Sequence, residues 1–368
     1  MTETEACIAL NMVPGMGPVR LRTLLETFAS PQRILTAGPA ALRAAKGVGK
    51  ETADSIASWE SHVDLAAELK RIADFGAKVI TVTSPEYPPA LRTIHNPPVV
   101  LYVWGSLLAA DAHAIGVVGS RNVTHYGTET AKKLSYQLAF AGYTVVSGLA
   151  RGVDTAAHQG ALAAKGRTIA VLGSGLSVLY PPENLGLAEK IAASGAVVSE
   201  YPMERPADRQ TFPYRNRIVA GWGRGILVVE AGMNSGALIT ANQAVEQGRT
   251  VFAVPGQIDR PTSAGTNRLI QQGARLVTSA DDILDELGTL IPRSSTASPL
   301  QKVTTATSAP VLSHDETLLV TALEVGELTL DELSATTRLP GHKVSSTLLG
   351  LEMKRLVRAL PGHRYVRV

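Results

Sequence analysis

Cysteine is almost absent from this sequence: Cys7 is the only one among 368 residues. A single thiol excludes an intramolecular disulfide and a cysteine-rich zinc site, and such a composition is typical of a reducing compartment. The acidic opening MTETEACIALNM lacks the basic region and the apolar run of a signal peptide. We therefore expect a cytoplasmic protein.

Long apolar runs are also missing. No stretch reaches the roughly 18–20 apolar residues that cross a bilayer, so we expect no membrane span. The composition is 45% hydrophobic and 18% charged, which is nonetheless typical of globular proteins. The length predicts two or three domains, because single cores rarely grow past about 250–300 residues. The net charge of +3 alone says little about a nucleic-acid partner.

Motifs for the common nucleotide and metal chemistries are lacking. There is no P-loop, no G-x-S-x-G elbow and no H-E-x-x-H, and Gly173–Gly175 lacks the third glycine of a dinucleotide fingerprint. His158, near Asp154 and Ser147, is the one catalytic candidate, but such an aspartate is more often an N-cap and such a histidine a packed polar residue. We therefore expect no metal, no cofactor and no catalytic residue.

The first 77 residues are helical in pattern and contain two similar glycine turns. Val13–Gly17 and Gly47–Lys50 each lead into an amphipathic helix. This arrangement resembles the helix-hairpin-helix, whose glycines let helix-start N–H groups approach a DNA phosphate. Only the second turn has an adjacent cation, Lys50, which is the candidate DNA contact here. The alternative is a small helical bundle that does not touch DNA.

Residues 78–290 alternate between short apolar runs and segments of helical periodicity such as Thr128–Ala141 and Ser235–Gln247. Strands that are apolar on both faces and alternate with helices indicate a parallel sheet covered on both sides. The predicted fold class is therefore α/β, an extended Rossmann-like core. Its prolines predict that residues 87–105 add an extended, edge-like elaboration. The predicted strands are Ile115–Val118, Thr144–Val146, Thr168–Leu172, Ala196–Val198, Ile226–Val229 and Thr250–Val254.

The C-terminal part divides into a linker and a small domain. Residues 291–312 are rich in Ser, Thr, Ala and Pro and predict a flexible linker. Residues 313–368 predict helix, short helix, helix and a hairpin at Pro361–Gly362, the order of a winged helix. Its basic half would bind duplex DNA, whereas its acidic half suits a protein partner, and both remain open. The candidate DNA contacts in this domain are Lys343, Lys354, Arg355 and Arg364.

Small, polar or basic turns follow the predicted strands of the core. Ligands of an open parallel sheet bind beyond the carboxyl ends of its strands, and glycines there let backbone N–H groups converge on an anion. Several such turns on one rim predict a phosphate-binding edge. Its candidate residues are Gly119, Ser120, Arg121, Arg151, Asn234, Ser235 and Gly236.

The segment between the fourth and fifth of these strands combines arginines with aromatic residues. Arginine suits phosphates and rings suit unpaired bases, so this segment is typical of a site for single-stranded nucleic acid. The alternative is a solvated helix start whose aromatics anchor the core, with Phe212 as the core residue. The candidate DNA contacts here are Arg209, Phe212, Arg215, Asn216 and Arg217.

The core motifs together resemble the DNA processing protein A family, DprA. They are, in chain order, GSR (119–121), SGLARGVD with AHQGAL (147–162), VLGSGLSVLYPPEN (171–184), SEYP (199–202), FPYRNRIVAG (212–221), VVEAGMNSGALITA (228–241) and VFAVPG (251–256). The resemblance implies a non-catalytic protein that binds and protects incoming single-stranded DNA and loads RecA recombinase onto it in natural transformation and recombination.

Residue by residue, the resemblance implies that Gly119–Arg121 hold a phosphate and that Arg215–Arg217 line the same groove. It also implies self-association as a dimer through residues 264–270, where Leu269 and Ile270 form an apolar pair; the alternative is that both side chains pack inward. Family members often carry a basic residue in the turn Tyr180–Glu183, where this chain has Pro182.

A rival hypothesis is a Rossmann-like enzyme that binds or cleaves nucleoside monophosphates. Glu230 would then act on the ribose, but the arginines, the aromatics and both flanking domains would be unexplained. We expect Glu230 to order its loop instead, because a carboxylate repels phosphate. A third hypothesis, a transcription factor, depends on the C-terminal domain alone.

Overall fold

The computed structural model describes residues 1–288, 313–323, 326–353, 356–360 and 364–367. The predicted linker, 291–312, lies outside the described residues. The chain forms two compact units, Met1–Arg293 and Ser294–Val368.

The N-terminal region is helical, as predicted. Gly15 and Gly47 adopt φ angles of 76° and 79°, the left-handed region that favours glycine, and each allows the chain to turn into the next helix. Ile8, Leu24 and other buried residues of this region pack in one cluster with strands of the sheet. The helices are α1 (Glu3–Met12), α2 (Pro18–Phe28), α3 (Pro31–Thr36), α4 (Pro39–Ala44), α5 (Lys50–Ala57) and α6 (Leu65–Phe75).

A nine-stranded sheet follows, in the order β1-β2-β6-β5-β4-β3-β7-β8-β9. All neighbours from β6 to β9 are parallel, whereas β1 and β2 are antiparallel additions at one edge. Its strands are β1 (Lys78–Thr81), β2 (Val100–Gly105), β3 (Ala114–Val118), β4 (Thr144–Ser147), β5 (Thr168–Leu172), β6 (Ala196–Ser199), β7 (Gly225–Val228), β8 (Thr250–Ala253) and β9 (Arg275–Leu276).

Helices cover both faces of the sheet because alternate strand residues point to opposite sides. In β3, Ile115 and Val117 pack with α8, α9 and α14, whereas Val118 packs with α11 and α12. The helices of this region are α7 (Pro89–Arg92), α8 (His125–Phe140), α9 (Val153–Ala163), α10 (Leu185–Ser194), α11 (Thr211–Trp222), α12 (Gly236–Glu246), α13 (Ala264–Gln271) and α14 (Ala280–Leu287). Short 3-10 helices cover Trp59–Ser61, Ala109–Ala112, Leu176–Val178 and Pro182–Asn184.

Two predictions about local structure need correction. Residues 87–105 were predicted to be an extended, edge-like elaboration of the sheet; β2 agrees with this, but residues 89–92 form α7, because a proline in the first helical position already has a helical φ. The helix predicted from Thr128 begins at His125, because the Thr124 hydroxyl caps it by accepting from the Gly127 N–H at 3.1 Å.

The sheet has one topological switch point. From β3 the chain moves outward through β4, β5 and β6, and it then returns to add β7, β8 and β9 on the other side of β3. Ligands of such sheets bind at the carboxyl ends of the strands where the order reverses. The turns after β3 and β7 therefore occupy the position where a ligand site is expected.

The second unit has the order helix, strand, helix, helix and hairpin, which confirms the predicted winged helix. Leu319, Leu333 and Val344 form part of its buried core. Its elements are α15 (His314–Ala322), β10 (Leu328–Thr329), α16 (Leu330–Thr337), α17 (Gly341–Met353), β11 (Val357–Leu360) and β12 (Arg364–Arg367), with the strand order β10-β12-β11.

Among the described helices, none combines the length and the apolar character that a membrane crossing requires.

Candidate nucleic-acid interface

A pocket of about 810 Å³ lies at the switch point, between the turns after β3 and β7 and the first turn of α11. It brings together all the residues predicted as core DNA contacts except Arg151 and Arg217. The predicted residues in its lining are Gly119, Ser120, Arg121, Arg209, Phe212, Arg215, Asn216, Asn234, Ser235 and Gly236.

The wall of the pocket depends on close contact between the ends of β3 and β7. The Ser120 N–H donates to the Glu230 carbonyl at 2.6 Å. A Cβ on Gly119 would come within 2.5 Å of the Val153 side chain and 2.9 Å of the same carbonyl. Glycine is therefore required at position 119 for the two turns to meet.

Glu230 serves the architecture of the pocket. Its buried carboxylate accepts from the Thr124 N–H at 3.0 Å and from the Thr124 hydroxyl at 3.1 Å, at the start of α8. A Cβ on Gly127 would come within 2.0 Å of the carboxylate oxygen, so this glycine makes room for it. These contacts agree with the prediction that Glu230 orders its loop. They also occupy the carboxylate that would act on the ribose in the rival enzyme hypothesis.

Phe212 and Arg121 meet across the pocket. Just before α11, the Asp208 carboxylate accepts hydrogen bonds from the N–H groups of Gln210 and Thr211, at 2.7 and 2.8 Å. These hydrogen bonds, above all the one from Thr211, help to lower the pKa of Asp208. Phe212, in the first turn, is half-buried, and the Arg121 guanidinium carbon lies 4.8 Å from its ring centroid. The ring therefore lines the pocket and is not sealed in the core. It provides a cation–π contact and a surface on which a base could stack.

Arg215 and Arg217 were both expected to line the groove, but only Arg215 lines the pocket. Both lie within α11 and are buried, because the helix packs on the sheet beyond its first turn. Arg215 donates to the Val171 carbonyl at 2.7 Å, and burial lowers its pKa, against the opposing charge of Asp154. It lines the pocket although it is buried. Arg217 does not line the pocket and pairs with Glu200 at 2.6 Å.

The turn between β4 and α9 carries Arg151 outside the main pocket. Asp154 accepts from the N–H groups of Gly148 and Ala150, at 3.1 and 3.3 Å, and so holds this turn. The predicted N-cap role of Asp154 is wrong, since the N-cap of α9 is Gly152. Arg151 is exposed, pairs with Glu183 and lines a second, adjoining groove, which is shallow and encloses only about 10 Å³.

His158 is a packed polar residue, as expected. It is fully buried, its Nδ1 lies 2.7 Å from the Thr168 hydroxyl, and burial lowers its pKa to about 3. The ring is therefore neutral at physiological pH. Within the part of the chain that the structure describes, no cluster of His, Cys, Asp and Glu could hold a metal ion.

Of the two predicted dimer contacts, Leu269 needs correction, whereas the structure does not test Ile270. Leu269, on α13, is buried in the core of its own chain, and Ile270 is half-buried against the same cluster. Leu269→Arg would therefore disturb folding and cannot serve as a test of association.

The candidate DNA contacts of the two flanking regions do not gather in one pocket as those of the core do. Lys50 is exposed at the first position of α5. Lys343 pairs with Asp315 and Arg364 with Glu327, each at 2.7 Å, so acids of the same unit partly neutralise these two cations. The predicted contacts Lys354 and Arg355 lie outside the described residues.

Sequence reasoning missed two residues beside the predicted ones. Asn122 lines the main pocket, and Tyr180 lines the second groove with Arg151. Adjacency to the Gly119–Arg121 turn was the available signal for Asn122. The family motif marks the turn that begins at Tyr180, but the contact of Tyr180 with Phe212 is formed only in three dimensions.

The core is an open, mostly parallel sheet with a basic and aromatic pocket at its switch point. Helix-hairpin-helix and winged-helix modules accompany it. Together these features define a class of Rossmann-like nucleic-acid-binding proteins. Three family models match successive parts of the chain. Residues 78–288 match the DNA recombination-mediator protein A model, 8–58 the SAM-like helix-hairpin-helix tandem and 303–363 the DprA winged helix domain. The chain belongs to the DprA/Smf family of DNA processing proteins.

Individual relatives support this assignment. Protein Smf of Synechocystis is 35% identical over 100% of this chain and 99% of its own length. The X-ray structure of DprA from Streptococcus pneumoniae superposes with a TM-score of 0.70 and 35% identity, over 78% of this chain and 99% of that one. The DprA structure from Helicobacter pylori, described by its single-stranded DNA binding mode, gives a TM-score of 0.52 and 27% identity, over 58% of this chain and 97% of that one.

Proposed function

We propose that this protein binds single-stranded DNA along the carboxyl rim of its sheet, at the pocket of Arg121 and Phe212. The observation that carries the proposal is the pairing of an exposed arginine with a half-buried ring, 4.8 Å apart, beside the glycine turns of β3 and β7. Arginine and turn amides suit phosphates, whereas the ring suits an unpaired base. The binding mode described for the Helicobacter pylori relative supports the same ligand.

The proposal includes the wider role that family membership suggests: protection of incoming strands, and loading of RecA recombinase onto them in natural transformation and recombination. It also includes self-association of the core. Sedimentation of the wild-type protein decides the self-association. RecA assembly on an oligonucleotide, with and without this protein, decides the loading.

The salt dependence of binding tests the site. In wild type the logarithm of oligonucleotide affinity should fall with the logarithm of salt concentration by about 0.7 per phosphate contacted. Arg121→Ala should reduce this slope by about one contact and weaken all sequences alike. Lys133→Ala, which removes an exposed cation on α8 outside the main pocket, is the control. Unaltered binding by folded Arg121→Ala would contradict the proposed rim site.

We further propose that the protein acts without catalytic turnover. His158 is buried and neutral, and the Glu230 carboxylate is engaged at the start of α8, so neither is placed to transfer a proton to a ligand. We expect purified protein to leave labelled single strands and nucleotides intact. Metal-dependent cleavage that co-purifies with the protein and is lost in Arg121→Ala would overturn this.

A further inference from the structure

A second groove adjoins the main pocket and shares Arg121, Phe212 and Arg215 with it. Tyr180 and Arg151 line only the second groove, and Tyr180 is 40% exposed. Four side chains consequently form a continuous row from one groove to the next: Arg121, Phe212, Tyr180 and Arg151.

The spacing within this row suits two neighbouring bases. The centroids of the Phe212 and Tyr180 rings are 5.8 Å apart and their planes are inclined by 52°, so no base fits between them and each ring offers a face of its own. Successive bases of one strand are about 3.4 Å apart in a duplex and farther apart in an unstacked strand. Two rings at this separation can therefore meet consecutive bases of an extended strand.

Each ring also has a guanidinium beside it. The guanidinium carbon of Arg121 lies 4.8 Å from the Phe212 centroid, and that of Arg151 lies 5.9 Å from the Tyr180 centroid. An alternation of ring and guanidinium matches the alternation of base and phosphate along a single strand. Arg151 is paired with Glu183, and this pairing raises the pKa of Arg151 and lowers that of Glu183, so both groups stay charged.

The segment that carries Tyr180 is fixed to the neighbouring turn. The Asn184 side-chain amide donates to the Leu149 carbonyl at 2.8 Å and to the Thr155 hydroxyl at 2.9 Å, and Pro181 is buried. The ring therefore projects from an anchored backbone. A base that stacks on it does not first have to order a loop, and this preorganisation favours binding.

We propose that Tyr180 is a second base-stacking platform and that the bound strand runs from the Arg121 and Phe212 pocket across Tyr180 towards Arg151. This inference rests on the proposed function. The turn Tyr180–Glu183 has no cation of its own, so the subsite acts through the base and not through the phosphate.

The experiment compares two probes of equal length and charge: an oligo-dT strand and a fully abasic strand. Their affinity ratio measures what the bases contribute. Tyr180→Ala should lower this ratio roughly fivefold to 150-fold, which corresponds to the effect of one base–aromatic stack. It should leave the affinity for the abasic strand and the salt slope unchanged.

Matched variants separate stacking from packing. Tyr180→Phe should retain the wild-type ratio, and Tyr180→Leu, which keeps apolar bulk, should lose most of it. Phe212→Ala is the positive control, and Tyr136→Ala, an exposed tyrosine on α8 that lines neither groove, is the negative control. Thermal unfolding establishes that each variant is folded.

The possible failures are distinguishable. An unchanged ratio in Tyr180→Ala and Tyr180→Leu, or an equal loss on both probes, would overturn the second platform while leaving the rim site intact. If Arg121→Ala also left both affinities unchanged, the proposed function would fail as well.

Discussion

Arg217→Met is expected to lower the free energy of unfolding by about 3–5 kcal/mol, because it leaves the carboxylate of Glu200 buried without its partner. The two groups lie 2.6 Å apart, with side chains only 7% and 9% exposed. Chemical denaturation measures the loss. DNA affinity, corrected for the folded fraction, should stay close to that of wild type because Arg217 does not line the pocket.

Two further variants sharpen this prediction. Adding Glu200→Gln to Arg217→Met removes the stranded charge and should recover part of the stability. Lys133→Met, on the exposed side of α8 and away from its ends, should change stability by no more than about 0.5 kcal/mol. A stable Arg217→Met protein with weakened DNA binding would show instead that Arg217 contacts the strand.

Asp154→Ala is expected to destabilise the protein by roughly 2–5 kcal/mol. It removes the acceptor of the Gly148 and Ala150 N–H groups; a buried donor such as that of Gly148 costs about 1–3 kcal/mol when left without a partner, and the part-buried donor of Ala150 costs less. It also removes a carboxylate whose charge favours the buried guanidinium of Arg215. Denaturation curves measure the stability, and a DNA titration of the folded fraction shows whether the loosened turn disturbs the rim.

Asp281→Ala provides the comparison. Asp281 occupies the same position of its helix, the second residue of α14, but is exposed. Its loss should cost only the helix-dipole interaction, about 0.3–1 kcal/mol. Equal effects of the two substitutions would mean that the hydrogen bonds of Asp154 contribute nothing beyond helix electrostatics.

The sequence predicted the central sheet well because its strands carry the signal of burial on both faces. Val145, Ile169 and Val197, for example, are fully buried in adjacent strands. The motifs also predicted the rim, because glycine turns after parallel strands converge on one edge whatever the details of packing. The antiparallel position of β1 and β2 was not predictable, since it depends on which edge remains open.

The errors at the site have a common physical origin. The motif was expected to place Arg215, Asn216 and Arg217 in one groove, but the segment is helical from Thr211. Pro213 is tolerated there because an N–H in the first turn of a helix has no intrahelical partner. Once the segment is helical, packing on the sheet decides which arginines are buried. The partner of Arg217, Glu200, belongs to a different element, and no local pattern could reveal the pair. The same holds for Leu269, whose inward orientation is set by tertiary packing.

The return of the chain from β6 to β7 has a consequence for folding during synthesis. During synthesis the N-terminal part emerges first, so Arg121 leaves the ribosome well before Phe212 and Asn234. The pocket needs β7 to pair with β3 and α11 to settle on the sheet, and such long-range parallel pairing is slow. In a nascent chain Arg121 is therefore exposed before the pocket has formed. A fragment that ends before β7 would retain the Gly119–Arg121 turn but lack the pocket.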